Sequence, residues 1–428
     1  MFVRSLAIAT ALLLLQLPLT SAQAQSASVA SFQVPATYTQ GTKPRTLHPQ
    51  VGAAGGVLGS RSTGSALGVD SLLNWSSYFY DQGIDPFGFY AFTWQYTMVG
   101  SSPYGEAEST TIRAPIVPVN IDMRDANGAP AHAANGARLY MDATRYIQPV
   151  LRSPIFGSTT YDSSLRPTQF TDAIQRAEFY NVAPSNWHTT LASVVSQART
   201  MQLPLGSYRY ALNTDGSCCR FVLVDINVFS NELLPPTPND ATTVVGSAEN
   251  AGDITTRDMS TFLFPDTYLY FPPFTAPNNC CVLGFHGYDA EPGSAANGWR
   301  EKRYVLNYSS WISPGLFGGG FADVTALSHE LAETFNDPFT NNNTPWWLAP
   351  NGNCQDNLET GDVIEGLSNA VIAITLNGFT YHPQNEALVQ WFGGVTPSTA
   401  ISGAYSYPDK TVLPTAAVSQ TFGCGGPL

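Results

Sequence analysis

Apolar and polar positions follow short, strand-like patterns along most of the chain. The segments TTIRAPIVPVNIDM at 110–123 and RYVLNYSSWI at 303–312 are rich in β-branched and aromatic residues and are bounded by Gly, Pro, Asn or Asp. Both are predicted to be strands. The same pattern predicts further strands at 89–99, 208–214, 219–229, 267–272 and 281–288.

A second set of segments has the apolar spacing of helices. These segments are 143–151, 168–182, 186–198 and 322–339. They are interspersed with the strands without a regular strand-helix alternation. The predicted fold class is therefore α+β rather than a doubly wound sheet. No glycine-rich dinucleotide or phosphate loop follows a predicted strand.

The helix predicted within 322–339 has two unlike faces. Its apolar stripe consists of Val324, Leu327, Leu331 and Phe335, and its opposite face of His329, Glu330, Glu333 and Asp337. Such a stripe predicts a helix packed on a core. Asp323 is the predicted N-cap, and Pro338 predicts that the helix ends at Asp337.

The polar face of this helix carries side chains suited to a metal ion. His329 and Glu333 are four residues apart, so their side chains can converge on one point. An imidazole and a carboxylate can hold two corners of a tetrahedral Zn²⁺ site, with a third protein ligand and a water at the others. Glu330 would then be the general base of metal-assisted hydrolysis. The alternative interpretation is an ordinary solvated acidic face.

An acidic cluster in NCQDNLETGDVIEG, at 353–366, offers the third ligand. Glu359 is the first choice, and Asp362 is the partner that orients the ligand or substitutes for it. Asp337 is a rival ligand, but it is poorly aimed if the helix ends there. His286, next to glycine residues at the end of a predicted strand, could contact a substrate or an oxyanion; a structural histidine is the alternative.

The cysteines predict disulfides, because their number is even and the chain has the features of an exported protein. They are Cys218, Cys219, Cys280, Cys281, Cys354 and Cys424. Each doublet borders a strand-like run, so we expect at least one bond between the doublets. Cys354 and Cys424 then form the remaining pair.

The beginning of the chain predicts export. Residues 1–24 combine an early arginine, an apolar run and Ala22-Gln23-Ala24, as a signal peptide does. Residues 25–70 are low in complexity and predict a flexible leader or linker, followed by a folded part at 71–428. No apolar run is long enough to span a bilayer, so we expect no membrane insertion and a secreted protein, extracellular or periplasmic. The net charge of -13 argues against nucleic acid as a partner.

Four segments resemble a family of secreted bacterial and fungal proteins that is distantly similar to the plant Exordium, or phosphate-induced, proteins. They are SHELAETFNDP at 328–338, ETGD at 359–362, CCVLGFHGY at 280–288 and TQFTDAIQRAEFY at 168–180. The resemblance implies a zincin-like fold, with a mixed sheet beside an active-site helix, and a metallopeptidase ancestry. The chain departs from the family after ETGD, where Val363 and Ile364 stand in place of an expected cysteine.

Three functions are predicted as alternatives. The first is a secreted zinc-dependent hydrolase, a metallopeptidase acting on a peptide or protein substrate, with the metal on His329, Glu333 and Glu359 and with Glu330 as the base. The second is a non-catalytic extracellular or cell-wall protein that keeps the zincin-like scaffold and binds Ca²⁺ or no metal. The third is a glycoside hydrolase that uses two of the carboxylates as acid and base.

Overall fold

The computed structural model describes residues 72–80, 93–104, 109–212, 218–238, 240–273, 280–295, 298–317, 320–420 and 424. The predicted signal peptide and leader, at 1–24 and 25–70, lie outside the described residues. The fold is mixed α+β with many strands and few helices, which confirms the predicted class. Within the described ranges, no helix combines the length and the apolar character needed to cross a bilayer.

Most strands and helices are short. The strands are β1 Asn74–Tyr80, β2 Thr93–Val99, β3 Thr110–Met123, β4 Tyr140–Met141, β5 Thr189–Val195, β6 Arg199–Leu203, β7 Tyr208–Ala211, β8 Phe221–Asp225, β9 Met259–Pro265, β10 Thr267–Tyr270, β11 Cys280–Val282, β12 Gly284–Glu291, β13 Lys302–Trp311, β14 Asn343–Leu348, β15 Cys354–Asn357, β16 Ile374–Leu376, β17 Phe379–Tyr381, β18 Glu386–Ala387 and β19 Ser406–Tyr407. The α-helices are α1 Ile147–Leu151, α2 Phe170–Glu178, α3 Ile226–Leu233, α4 Val244–Asn250, α5 Thr325–Asn336 and α6 Val389–Phe392.

The largest sheet is mixed and carries an antiparallel strand at each end. Its order is β12-β13-β9-β3-β4, and β5 and β6 also pair with β3. Strand β13 runs parallel to β9, and β9 parallel to β3, whereas β12 is antiparallel to β13 and places His286 opposite Asn307. Helix α5 follows β13 in the chain and packs against both β12 and β13. Strand β12, at one end of this sheet, and helix α5 are therefore neighbours.

A smaller sheet, in the order β11-β10-β8-β7, lies elsewhere in the fold. Its strand β8 occupies only the first part of the strand predicted at 219–229, and the chain turns into α3 at Ile226. The side chain of Asp225 accepts a hydrogen bond from the N–H of Asn227 at 2.8 Å and caps the new helix. A capping aspartate thus ends the strand within an otherwise apolar run.

The prediction of a helix at 186–198 is wrong, because this segment contains strand β5. Thr189, Thr190, Val194 and Val195 are β-branched and favour a strand. Strand β5 pairs in parallel with the first half of the long strand β3, from Thr110 to Ile116. The pairing partner, which lies far away in the sequence, decides between the two structures.

Helix α5 has the predicted apolar stripe. Val324, Leu327, Leu331 and Phe335 are buried in one core cluster. The predicted N-cap is one residue too early: Val324 occupies the cap position. The carboxylate of Asp323 instead accepts the N–H groups of Val324 at 2.7 Å and of His382 at 2.8 Å.

One of the predicted disulfides is present and one is wrong. Cys354 and Cys424 are bonded, as predicted. The expected bond between the doublets is absent, because Cys280 bonds to Cys281, and the unbonded sulfur atoms of Cys218 and Cys219 lie 2.6 Å apart. Cys280 begins β11, whereas Cys219 lies between β7 and β8, and β10 lies between β11 and β8 in the sheet. The fold therefore keeps the two doublets apart.

Candidate metal centre

The polar face of α5 is buried rather than solvated. His329 is 1% exposed, and Glu330 and Glu333 have no exposed surface. Helix α5 packs against α2, β2, β12 and β13, so protein surrounds it on more than its apolar side. A buried charge requires a partner, since its desolvation is costly. The solvated-face interpretation is therefore wrong for this helix.

His329 and Glu333 converge as their spacing predicts, and Asp362 joins them. The Nε2 atom of His329 lies 3.1 Å from Oε1 of Glu333 and 3.6 Å from Oδ1 of Asp362. Tetrahedral zinc with bonds of about 2.0–2.1 Å keeps its ligand atoms roughly 3.3 Å apart, so these separations suit one Zn²⁺ ion. One nitrogen and two carboxylate oxygens are also a donor set that zinc accepts.

The turn after β15 fixes the orientation of Glu333. The backbone N–H groups of Gly361 and Asp362 donate to Oε1 of Glu333 at 3.0 and 3.3 Å. The amide of Gln355 donates to Oδ2 of Asp362. Such hydrogen bonds hold metal-binding carboxylates in place. The disulfide from Cys354, at the start of β15, attaches this region to Cys424.

His286 lies within the site rather than at the edge of a cleft. It projects from β12 and is completely buried. Its Nδ1 atom lies 3.5 Å from Oε2 of Glu333 and 3.6 Å from Oε2 of Glu330. Its Nε2 atom lies 3.9 Å from Oε2 of Glu359. Glu333 therefore presents one carboxylate oxygen to His329 and the other to His286.

Two groups of candidate ligands share Glu333. The first contains His329 and Asp362, and the second contains His286 and Glu330. In each group the ligand atoms lie within 4.8 Å of one another. The first group leaves Glu330 available for proton transfer, whereas the second would use it as a ligand.

Neighbouring carboxylates raise the pKa of both histidines by more than burial lowers it. Burial alone would lower the pKa of His286, but Glu359, Glu330 and Glu333 raise it to about 10. Burial would likewise lower the pKa of His329, and Glu333, Glu330 and Glu386 raise it well above its usual value. The site is thus rich in negative charge and attracts cations.

Glu386 is a member of the site that the sequence analysis missed. It lies at the start of β18, has no exposed surface, and accepts a hydrogen bond from the Thr360 hydroxyl at 3.1 Å. Burial, and then the charges of its neighbours, raise its pKa well above the usual value, although His329 opposes the effect. Its sequence context, QNEALVQW, carries no motif that marks it.

The other predicted ligands lie in different surroundings. The side chain of Glu359 accepts a hydrogen bond from the Asn357 amide at 2.7 Å and lies towards His286 rather than His329. Asp337 belongs to neither candidate group. Its Oδ1 atom accepts the N–H groups of Asn341 at 2.9 Å and Asn342 at 3.2 Å. Asp337 therefore stabilises the turn after α5.

Two glycines allow the close approach of these elements. A Cβ atom at Gly361 would lie 2.5 Å from Nδ1 of His329. A Cβ atom at Gly284 would lie 2.6 Å from Oε1 of Glu330. Both distances are shorter than van der Waals contact, so the backbone of β12 and of the turn reaches the helix only because these residues lack side chains.

Comparisons with protein-family models, curated proteins and solved structures find no match to this chain. Function is therefore inferred from the geometry of the site.

Proposed function

We propose that this chain is a secreted zinc-dependent hydrolase, and specifically a metallopeptidase. His329, Glu333 and Asp362 hold the zinc ion, and Glu330 is the general base. The observation that carries the proposal is the convergence of three buried ligand atoms. Oε1 of Glu333 lies 3.1 Å from Nε2 of His329, and Oδ1 of Asp362 lies 3.6 Å from it. Asp362 takes the place for which Glu359 is the first choice from sequence, because its carboxylate is the one beside His329.

Each residue of the site has a separate role in the proposed reaction. When bound, Zn²⁺ would lower the pKa of its bound water to about 7 and polarise a carbonyl group. Glu330 is next to His329 on α5, and its carboxylate accepts the proton of the attacking water. His286, 3.6 Å from Glu330 and 3.5 Å from Glu333, orients both carboxylates. Burial strengthens these electrostatic interactions.

The surrounding fold supports this function. A mixed sheet lies beside the helix that carries the ligands, and its terminal strand β12 brings His286 to α5. This is the arrangement expected for a zincin-like protein, and it agrees with the resemblance of SHELAETFNDP to the secreted Exordium-like family. Peptides or proteins are then the expected substrates.

Substitution of Glu330 by glutamine tests the assigned base. The Glu330→Gln variant should keep one zinc ion per chain and lose peptide cleavage, because the amide cannot accept the proton. His329→Ala should lose both, whereas the control His132→Ala, at an exposed histidine, should lose neither. Zinc content by mass spectrometry and cleavage of a mixed peptide library are the measurements. Cleavage by Glu330→Gln at the wild-type rate would refute the base.

A non-catalytic role is the second candidate, and the burial of the site favours it. Structural metal sites are closed, whereas catalytic sites keep an open position. The carboxylates of Glu330, Glu333, Glu359, Asp362 and Glu386 are buried, and such oxygen donors also suit Ca²⁺. Calcium bound in place of zinc, together with no cleavage by the wild-type protein, would select this role.

A further inference from the structure

An aromatic pocket lies beside the last residue of α2, Glu178. Its volume is about 130 Å³. A cavity of about 150 Å³ holds one benzene molecule, so the pocket has room for one small chemical group. Aromatic rings form much of its lining, two from β1, one from β2, one from the segment after β2 and one just after α2: Tyr78, Phe79, Tyr96, Tyr104 and Phe179. Tyr78 and Tyr104 are about half exposed and mark the side that faces solvent.

The walls of the pocket are held in place by Trp75. Its ring meets those of Tyr96, Tyr104 and Phe179 edge to face, with centroids 5.9, 6.0 and 5.2 Å apart. Phe79 stacks on Tyr96 at 6.2 Å. Because these rings pack against one another, the pocket is pre-organised and a ligand does not have to order it.

Glu178 is one of the residues that line this pocket. Its side chain is 1% exposed, and its Oε1 atom accepts hydrogen bonds from the N–H of Val389 at 3.0 Å and the amide of Asn336 at 3.2 Å. Within the described part of the chain, Oε2 has no hydrogen-bond partner. Burial raises the pKa of Glu178 to about 8, so part of this carboxyl is ionised near neutral pH. One buried carboxyl oxygen of a pocket-lining residue therefore has no donor within the described residues.

We propose that this pocket binds an alkylammonium group, whose N–H donates to Oε2 of Glu178 while the aromatic rings surround its methylene carbons. The faces of tyrosine and phenylalanine rings attract cations. A charge-assisted hydrogen bond to the carboxylate adds to this attraction. A neutral apolar ligand would leave the buried oxygen unsatisfied, at a cost in free energy. The net charge of -13 also draws cations towards the protein.

Binding of an amine in this pocket does not require the metal centre. A free amine and the side chain of a lysine in a polypeptide share the chemistry that the pocket recognises. Asn336, which donates a hydrogen bond to Glu178, lies three residues after Glu333, so this partner of Glu178 is about one helical turn from a candidate metal ligand. The proposed contacts of the amine involve none of the candidate metal-binding side chains.

Calorimetric titration with n-butylammonium chloride, at about pH 9 where Glu178 is largely ionised, tests the proposal. The wild type and the control Glu301→Gln, which removes an exposed carboxylate outside the pocket, should bind the amine equally. Glu178→Gln should bind it at least about tenfold more weakly, since a charge-assisted hydrogen bond is lost. 1-Butanol, the neutral analogue, should not bind. Equal affinity for the alcohol, or an unchanged affinity in Glu178→Gln, would overturn the proposal.

A substitution on the solvent-facing side of the pocket tests the proposal if Glu178→Gln fails to fold. Tyr104→Ala removes a ring that is about half exposed, and it should weaken amine binding several-fold through the lost ring contact. A peptide with an internal lysine, compared with the same peptide carrying norleucine, distinguishes the sources. Binding of the lysine peptide assigns the pocket to polypeptides, and binding of butylammonium alone assigns it to small amines. Binding of neither contradicts the proposal.

Discussion

Substitution of Glu178 by glutamine should change the way in which stability depends on pH. Glu178 ends α2 and joins it to α5 and α6 through hydrogen bonds from Asn336 and Val389. Burial raises its pKa from 4.5 to about 8, against the lowering effect of these two bonds. The folded protein therefore holds this proton more tightly than the unfolded chain does.

The magnitude follows from proton linkage. Below pH 4.5 both states carry the proton, and the contribution of the neutral carboxyl to stability is fully present. As the pH rises towards 8, the unfolded state loses its proton first, so the free energy of unfolding falls. The difference between 4.5 and about 8 corresponds to about 5 kcal/mol, at about 1.4 kcal/mol for each pH unit. Glutamine does not titrate, so Glu178→Gln should not show this loss.

Urea unfolding measured at a series of pH values is the assay. The free energy of unfolding of Glu178→Gln, minus that of the wild type, should increase between pH 4.5 and about 8. Taking this difference removes the contribution of other groups that titrate alike in both proteins. The control Glu301→Gln should run parallel to the wild type. If the free energy of unfolding of Glu178→Gln also follows the wild type at every pH, burial does not raise the pKa of this carboxyl group.

Three further variants test the structure around the site. Gly361→Ala places a Cβ atom 2.5 Å from Nδ1 of His329 and should prevent the proposed metal binding and cost about 1–3 kcal/mol of stability; full metal content would contradict the close approach. Leu331→Ala empties a fully buried position in the core and should cost about 2–5 kcal/mol in urea unfolding, so a cost near zero would refute its packing. Joint replacement of Cys354 and Cys424 by serine opens a link across 70 residues and should cost about 2–5 kcal/mol in thermal unfolding; no change on reduction of the wild type would argue against the bond.

Local patterns predict the elements whose own residues determine their structure. The strand at 110–123 and the apolar stripe of α5 are visible in the sequence because spacing and side-chain shape are local properties. The pairing of β5 with β3 is not local. The segment 186–198 has helical spacing, but β-branched side chains and a long strand beside it make it β5.

The candidate site shows the same division. The spacing of His329 and Glu333 on one helix predicts their convergence. Which carboxylate of ETGD turns towards His329 depends on the turn geometry around Gly361, and the structure selects Asp362. Glu386 enters from a distant strand and is visible only in the folded chain.

Anomalous diffraction at the zinc absorption edge, from crystals of protein purified without added metal, tests the central proposal most directly. We expect one peak per chain, about 2.0–2.2 Å from Nε2 of His329 and from carboxylate oxygens of Glu333 and Asp362. A peak between His286 and Glu330 instead, or no zinc peak among these side chains, would contradict it.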